Sequence, residues 1–170
     1  MSSEIAQGAA LGDAVQKYQA AVVAYDRETA RILGVGENDQ SCLELVAGAP
    51  DGITPRELAD LLGFTTGSVT TMLDRLERKG YIARHDHPTD RRKVLVRPTP
   101  LLLERAGALI GPMLASAADE VLARFSPDEL EVVTRFMRAA TANQLQHTEL
   151  LRKTAPYPDA TMDAPADSPA

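Results

Sequence analysis

With 170 residues, 44% of them hydrophobic and 25% charged, the chain has the make-up of a globular protein with one core and an appended segment. Aromatics amount to only 4%, with no Trp, which argues against the exposed stacking platforms that hold single-stranded nucleic acid. A net charge of −6 opposes a polyanionic partner on average, so any such partner must meet a locally basic face.

Met1 to Leu11 carries no basic start followed by an apolar run, so no secretory signal is read there, and residues 1–10 are expected to be flexible. Residues 11–33 place Val15, Tyr18, Val22, Tyr25, Thr29 and Ile32 three and four positions apart, a stripe suited to packing against another helix. Gly34 and Gly36 end it. A second helix is expected over 39–47, with Cys42, Leu43, Leu45 and Val46 as its apolar residues, until the stretch holding Gly48, Pro50 and Gly52 breaks it. Thr54-Pro55-Arg56-Glu57 reads as a capping box with proline at the first helical position. The short helix it opens carries Leu58, Ala59, Leu61 and Leu62 and stops at Gly63. Another helix starts after Thr65 or Thr66 and runs to Lys79, with Gly80 as its stop.

Beyond Gly80 the period changes. Tyr81–Arg84 and Val94–Arg97 are short β-prone runs, and the polar segment between them makes a hairpin with a basic tip, Asp90-Arg91-Arg92-Lys93. A long helix follows with Leu102, Ala106, Leu109, Met113, Ala117 and Val121 on one side, and Gly111-Pro112 should kink it. Its charge-free stretch, residues 106–118, is too short to span a bilayer. Ser126-Pro127-Asp128-Glu129 is a second capping box, opening a last helix to about Arg152 that should turn Leu130, Val133, Phe136, Met137, Ala140 and Leu145 inward. Residues 154–170 are rich in Pro, Ala and Asp and are expected to be disordered.

The segment 55–72 carries the function. Two short helices meet at Gly63 across a three-residue connection and must cross steeply. Such a crossing needs a small residue at the contact, which Ala59 supplies, an unhindered turn at Gly63, and an apolar inner face, which Val69, Met72, Leu73 and Leu76 supply. Together these resemble the spacing of the DNA-binding helix-turn-helix. The outward residues of the second helix, Thr66, Ser68, Thr70, Thr71, Arg75 and Arg78, are short hydroxyls and arginines that suit base edges and phosphates. Gly67 would let backbone amides approach a phosphate at the helix start. Charge supports this reading: 54–97 holds nine Lys/Arg against six Asp/Glu, and 75–97 eight against three. On the hairpin tip, Arg91 and Arg92 suit a narrow minor groove, while Asp90 is expected to pair with Arg92 or its neighbour and hold the shape of the tip.

With Arg75-Leu76-Glu77-Arg78-Lys79-Gly80-Tyr81-Ile82 and Asp90-Arg91-Arg92, the run 54–97 resembles the MarR family of bacterial winged helix-turn-helix transcriptional regulators, and the flanking helices extend the resemblance over about 11–152. It implies a mainly α fold with a small β-hairpin wing, a winged module at about 39–98, and dimerisation helices at about 11–33 and 100–152. It also implies a cytoplasmic homodimer on double-stranded DNA, and in many members a small aromatic or anionic ligand between the dimerisation and DNA-binding parts. The chain departs from the family's common Thr-Pro-x-Gly after the wing, reading Thr99-Pro100-Leu101-Leu102.

Other readings are weaker. A winged module that binds protein would have no need of Arg75, Arg91 and Arg92. Cys42, the one cysteine, is an alternative redox sensor, but it sits among Leu43, Leu45 and Val46, where a buried structural role is commoner. His85 and His87 have a spacing that can bind metal, yet no ligand-type partner stands near them, so solvated wing residues are expected. No glycine-rich phosphate loop, nucleophile elbow or paired metal motif is present, so neither an enzyme nor a cofactor is expected.

Overall fold

The structure, a computed structural model, describes residues 2–90 and 92–155. Six α-helices, one antiparallel hairpin and two irregular turns follow in the order α1 (Ser2–Leu33), α2 (Glu37–Ala47), α3 (Pro55–Leu62), α4 (Thr66–Arg78), β1 (Ile82–Asp86), β2 (Val94–Pro98), α5 (Pro100–Ser116), a π turn (Ala117–Val121), a 3₁₀ turn (Leu122–Arg124) and α6 (Pro127–Arg152). The chain divides into two compact units, residues 1–115 and 116–170. The first contains the winged helix-turn-helix, as expected.

Its core gathers Leu43 and Val46 of α2, Leu58 and Ala59 of α3, Val69, Met72, Leu73 and Leu76 of α4, Tyr81 and Ile82, Val96, and Leu102 of α5. The capping box forms in full: Thr54 accepts from the Glu57 N–H at 3.2 Å, and Glu57 takes the Thr54 N–H at 2.8 Å. Gly63 closes α3 with φ 70°, where no side chain would be crowded, so backbone conformation alone requires glycine there. Thr65 caps α4, accepting from the Ser68 N–H at 3.2 Å. The hairpin pairs Ile82 with Pro98 through to Asp86 with Val94. Tyr81, expected to open the first strand, lies before it. Its buried hydroxyl donates to the Leu33 carbonyl at 2.8 Å and accepts from Arg105 Nη1 at 2.8 Å, joining the end of α1 to α5.

A third strand element was not anticipated. Ile53 pairs with Val96 through two backbone hydrogen bonds of 3.0 and 2.8 Å, fastening the start of α3 to the base of the hairpin. Gly52 makes this approach feasible: its φ is 103°, and a Cβ there would lie 3.0 Å from Leu95 Cβ and 3.2 Å from Arg97 Cγ.

Several expectations are corrected. α1 starts at Ser2, so residues 2–10, expected to be flexible, are helical, and α2 starts at Glu37 instead of Asp39. On α1 the expected stripe is buried only at Thr29; Ala30 and Leu33 beside it are buried too, Leu33 within the core, whereas Tyr18, Val22, Tyr25 and Ile32 are exposed. The α-helix continues through Pro112 to Ser116, and the irregularity comes later as the π turn. Pro112 has no N–H for the Ala108 carbonyl one turn earlier, and the following carbonyl, that of Leu109, accepts from Tyr25 Oη at 2.8 Å. Thr99 Oγ1 accepts the Leu102 N–H at 3.3 Å, so α5 starts normally without the family's glycine, and Leu102 becomes a core side chain.

The charge-free stretch 106–118 is short, but the helical run Pro100–Arg124 around it holds an 18-residue window of mean hydropathy 1.3, long and apolar enough to cross a bilayer. Its first turns are instead built into the core through Leu102 and the Arg105–Tyr81 contact. In the second unit, Ser126 and Glu129 form the expected capping box, but α6 buries none of its side chains: Val133, Phe136, Met137 and Leu145 are exposed, not inward. Of the Pro/Asp-rich tail, residues 156–170 lie outside the described residues.

Candidate nucleic-acid interface

The helical period assigns roles along α4. At about 100° per residue, Val69, Met72, Leu73 and Leu76 fall on one side and all four are buried. Gly67, Thr71, Asp74 and Arg78 then run up the centre of the opposite face, with Ser68 and Arg75 on one edge and Thr66 and Thr70 on the other. All of these except Arg75 are exposed. The hydroxyls are not idle. Thr70 Oγ1 donates to the Thr66 carbonyl at 2.8 Å, Thr71 Oγ1 to the Gly67 carbonyl at 3.2 Å, and Ser68 Oγ lies 2.9 Å from Thr65 Oγ1. With their protons turned back onto the helix, the two threonines present acceptor lone pairs and methyl groups outward.

Arg75 departs from the expected picture of a free outward arginine. Its Nε donates to Asp39 Oδ2 at 2.8 Å and its Nη2 to Asp39 Oδ1 at 2.5 Å, a fork that ties α4 to α2. Arg78 keeps its head group outward, with Nε donating to the Asp74 carbonyl at 3.1 Å. Asp74 would repel phosphate in the middle of this face, but Arg84 of β1 answers it, with Nη2 at 2.6 Å from Asp74 Oδ1 and a second ion pair to Glu77. Arg84 is thereby spent on holding the hairpin against α4.

The hairpin tip is a hydrogen-bonded turn. Lys93 N–H donates to the Asp90 carbonyl at 2.9 Å, and the Arg92 N–H donates to Asp90 Oδ1 at 3.1 Å. Asp90 thus meets Arg92 as expected, but through the Arg92 backbone amide rather than its guanidinium. Nδ1 of His87 accepts the N–H groups of Thr89 at 3.3 Å and Asp90 at 3.2 Å, so this histidine shapes the turn instead of standing in solvent. Arg91 lies outside the described residues. Among the described residues, Arg56, Arg78, Lys79, Arg92 and Lys93 form no ion pair. A groove of about 650 Å³ separates the starts of α3 and α4, at Pro55, Arg56 and Thr66, from the wing at Arg92, Lys93 and Val94.

Sequence reasoning missed Asp39, Asp74 and Glu77. Asp39 had a signal: it sits three, four and seven positions before Cys42, Leu43 and Val46, on the side of α2 that the core covers. Cys42 is fully buried and its thiol is pushed up from 9.0 to about 11, first by burial and then by the Asp39 carboxylate. A reactive thiolate has the opposite surroundings.

A model of the MarR family matches residues 38–93, the span from α2 to the wing tip. The uncharacterised HTH-type transcriptional regulator YcgE of Bacillus subtilis is 30% identical over 131 residues, 77% of this chain and 84% of that protein. The multiple antibiotic resistance protein MarR of Salmonella typhimurium is 52% identical over 48 residues, 28% of this chain and 33% of its own length. Among solved structures, a MepR variant of S. aureus bound to an oligodeoxyribonucleotide superposes with a TM-score of 0.53 at 17% identity, over 79% of this chain and 97% of that one, a likeness of fold.

Proposed function

The chain belongs to the MarR family of transcriptional regulators, and on that footing we propose that it binds duplex DNA as a homodimer and represses transcription by occupying an inverted-repeat operator. One observation carries this reading. The outward face of α4, with Thr66, Ser68, Thr70, Thr71 and Arg78, stands between Arg92 and Lys93 on one side and Arg75 and Lys79 on the other, in a chain whose net charge is −6. Cations gathered on one face of an acidic molecule are the electrostatic footprint of a phosphate-binding surface.

In this reading α4 enters the major groove, the wing reaches the flanking minor groove with Arg91 and Arg92, and Asp90 keeps the tip in shape. Two copies read two half-sites, working in the cytoplasm. A small aromatic or anionic ligand would release the DNA by favouring a dimer geometry that misplaces the paired helices, because affinity depends on both half-sites at once.

Anisotropy titrations across salt, using a duplex selected from a random pool and a scrambled control, test it. Arg92→Ala should weaken binding, and if it removes a phosphate contact, log K against log salt should become shallower by about 0.9 per site, or about 1.8 per dimer. Unchanged affinity and slope would remove the wing from the interface.

A further inference from the structure

Asp39 belongs to none of the parts that read DNA, yet it is the buried end of a two-pronged contact with α4. Its side chain is 4% exposed while that of Arg75 is 43% exposed. The pair is therefore lopsided: the carboxylate is inside, and the guanidinium reaches from it to the surface. Asp39 takes two of the five guanidinium N–H groups, Nε–H and one on Nη2, which leaves three for an outside partner. A groove of about 550 Å³, shared by Arg75, Lys79 and the turn entering α2, opens beside the exposed edge. Lys79 has no carboxylate partner among the described residues, and Glu37 at the rim is engaged by Arg27 at 3.0 Å. Arg75 occupies the same edge of α4 as Ser68, two turns earlier.

As a device for stability such a pair is poorly motivated, since burying a carboxylate costs about as much as the attraction returns. It does fix orientation, because a planar fork bound at two atoms cannot swing, whereas a free arginine must be ordered when it binds. We propose that Asp39 is a positioning residue for DNA recognition, holding Arg75 so that its remaining N–H groups, with Lys79, face the phosphate strand beside α4. The inference rests on the DNA-binding reading above. It also makes α2 part of the recognition surface, although α2 contributes no side chain to the groove that contains the bases.

The test uses the full chain, with the same selected and scrambled duplexes and a thermal melt of each variant. Arg75→Ala should weaken binding about tenfold and flatten the salt slope by about 0.9 per site. Asp39→Asn keeps the volume and loses the charged fork; it should weaken binding severalfold in the native background and have almost no further effect beside Arg75→Ala. Arg75→Lys keeps the charge without the fork, so it should lose affinity severalfold while retaining the salt slope. If Asp39→Asn only lowers the melting temperature, or weakens Arg75→Ala as much as it weakens the native protein, Asp39 is a structural joint and the proposal fails. Should Asp39→Asn not fold, Arg75→Lys decides alone: native affinity would overturn the proposal. Failure of the unaltered protein to bind any selected duplex would instead sink the DNA-binding reading itself.

Discussion

Thr71 stands on the centre line of α4, and its hydroxyl proton is already donated to the Gly67 carbonyl at 3.2 Å. What it can offer a base edge is an acceptor lone pair, suited to the amino group of adenine or cytosine, and a methyl group, suited to thymine. Thr71→Val removes the first and keeps the second. If the oxygen reads an amino group, cognate affinity should fall by about 1–3 kcal/mol while binding to a scrambled duplex stays level. Equal losses on both duplexes would make Thr71 a backbone contact. Cys42 yields a prediction of opposite kind. Its folded pKa, about 11, lies above its ordinary 9.0, so in that window the unfolded chain has released a proton that the native protein retains. The unfolded state then binds fewer protons, and stability falls as pH rises from 9.0 toward 11, by up to about 1.4 kcal/mol per unit. Denaturant titrations should show the native protein losing stability more steeply there than Cys42→Ala, and a thiol reagent at neutral pH should react only once the chain unfolds. At this scale the outward face was legible, because a helical period assigns sides from residue types alone. The fate of Arg75 was not, since its partner lies 36 residues away and no period links them.

Elements whose ends carry their own chemistry were the ones read correctly. Both capping boxes, at Thr54 and Ser126, need only four neighbouring residues to specify a helix start, and both form. The Ile53–Val96 pairing escaped notice because a single bridged pair shows no alternation. The start of α1 escaped as well: Gly8 and Gly12 weaken the stripe there, and residues 6–14 are exposed, so no core face marks them. Pro112 misled for a physical reason, since a proline removes one hydrogen bond, here the one to the Ala108 carbonyl, but need not end a helix whose other bonds hold. The two glycines that frame α3 differ in a testable way. Gly63→Ala meets no atom and should cost about 1–2 kcal/mol of backbone strain. Gly52→Ala adds a Cβ 3.0 Å from that of Leu95 to a less favourable φ of 103°, and should cost more, roughly 2–4 kcal/mol, while loosening the wing. Chemical denaturation ranks the two. A Gly52→Ala chain as stable as Gly63→Ala would mean that the Ile53–Val96 junction does not constrain the hairpin.

For the whole molecule, apolar surface is distributed very unevenly. The winged core buries its large side chains almost completely, whereas Tyr18, Val23 and Ile32 on α1 and Val132, Val133, Phe136, Met137, Leu145 and Leu151 on α6 are exposed in the single chain. The periodicity of α6 was legible, but its destination was not: a stripe specifies that a face will be covered, not whether by its own chain or another copy. Soluble proteins seldom leave so many large apolar residues bare, and association with a second copy is the symmetric way to cover them. Light scattering at micromolar concentration should therefore return a dimer. Val133→Glu together with Met137→Glu puts two charges within one turn on α6, where burial against a partner would desolvate them, and should shift the protein to monomer. None of the winged core lies on α6, so far-ultraviolet dichroism and the reactivity of buried Cys42 should remain those of the native fold. DNA binding should nevertheless collapse, because tethering two half-site contacts multiplies affinity by about 10²–10⁴ and a monomer forfeits that factor. The decisive comparison is a duplex carrying one half-site against a duplex carrying two. The native protein should prefer two by orders of magnitude, and the double variant should bind both alike. A monomeric variant that kept the preference would show that pairing on DNA does not depend on α6.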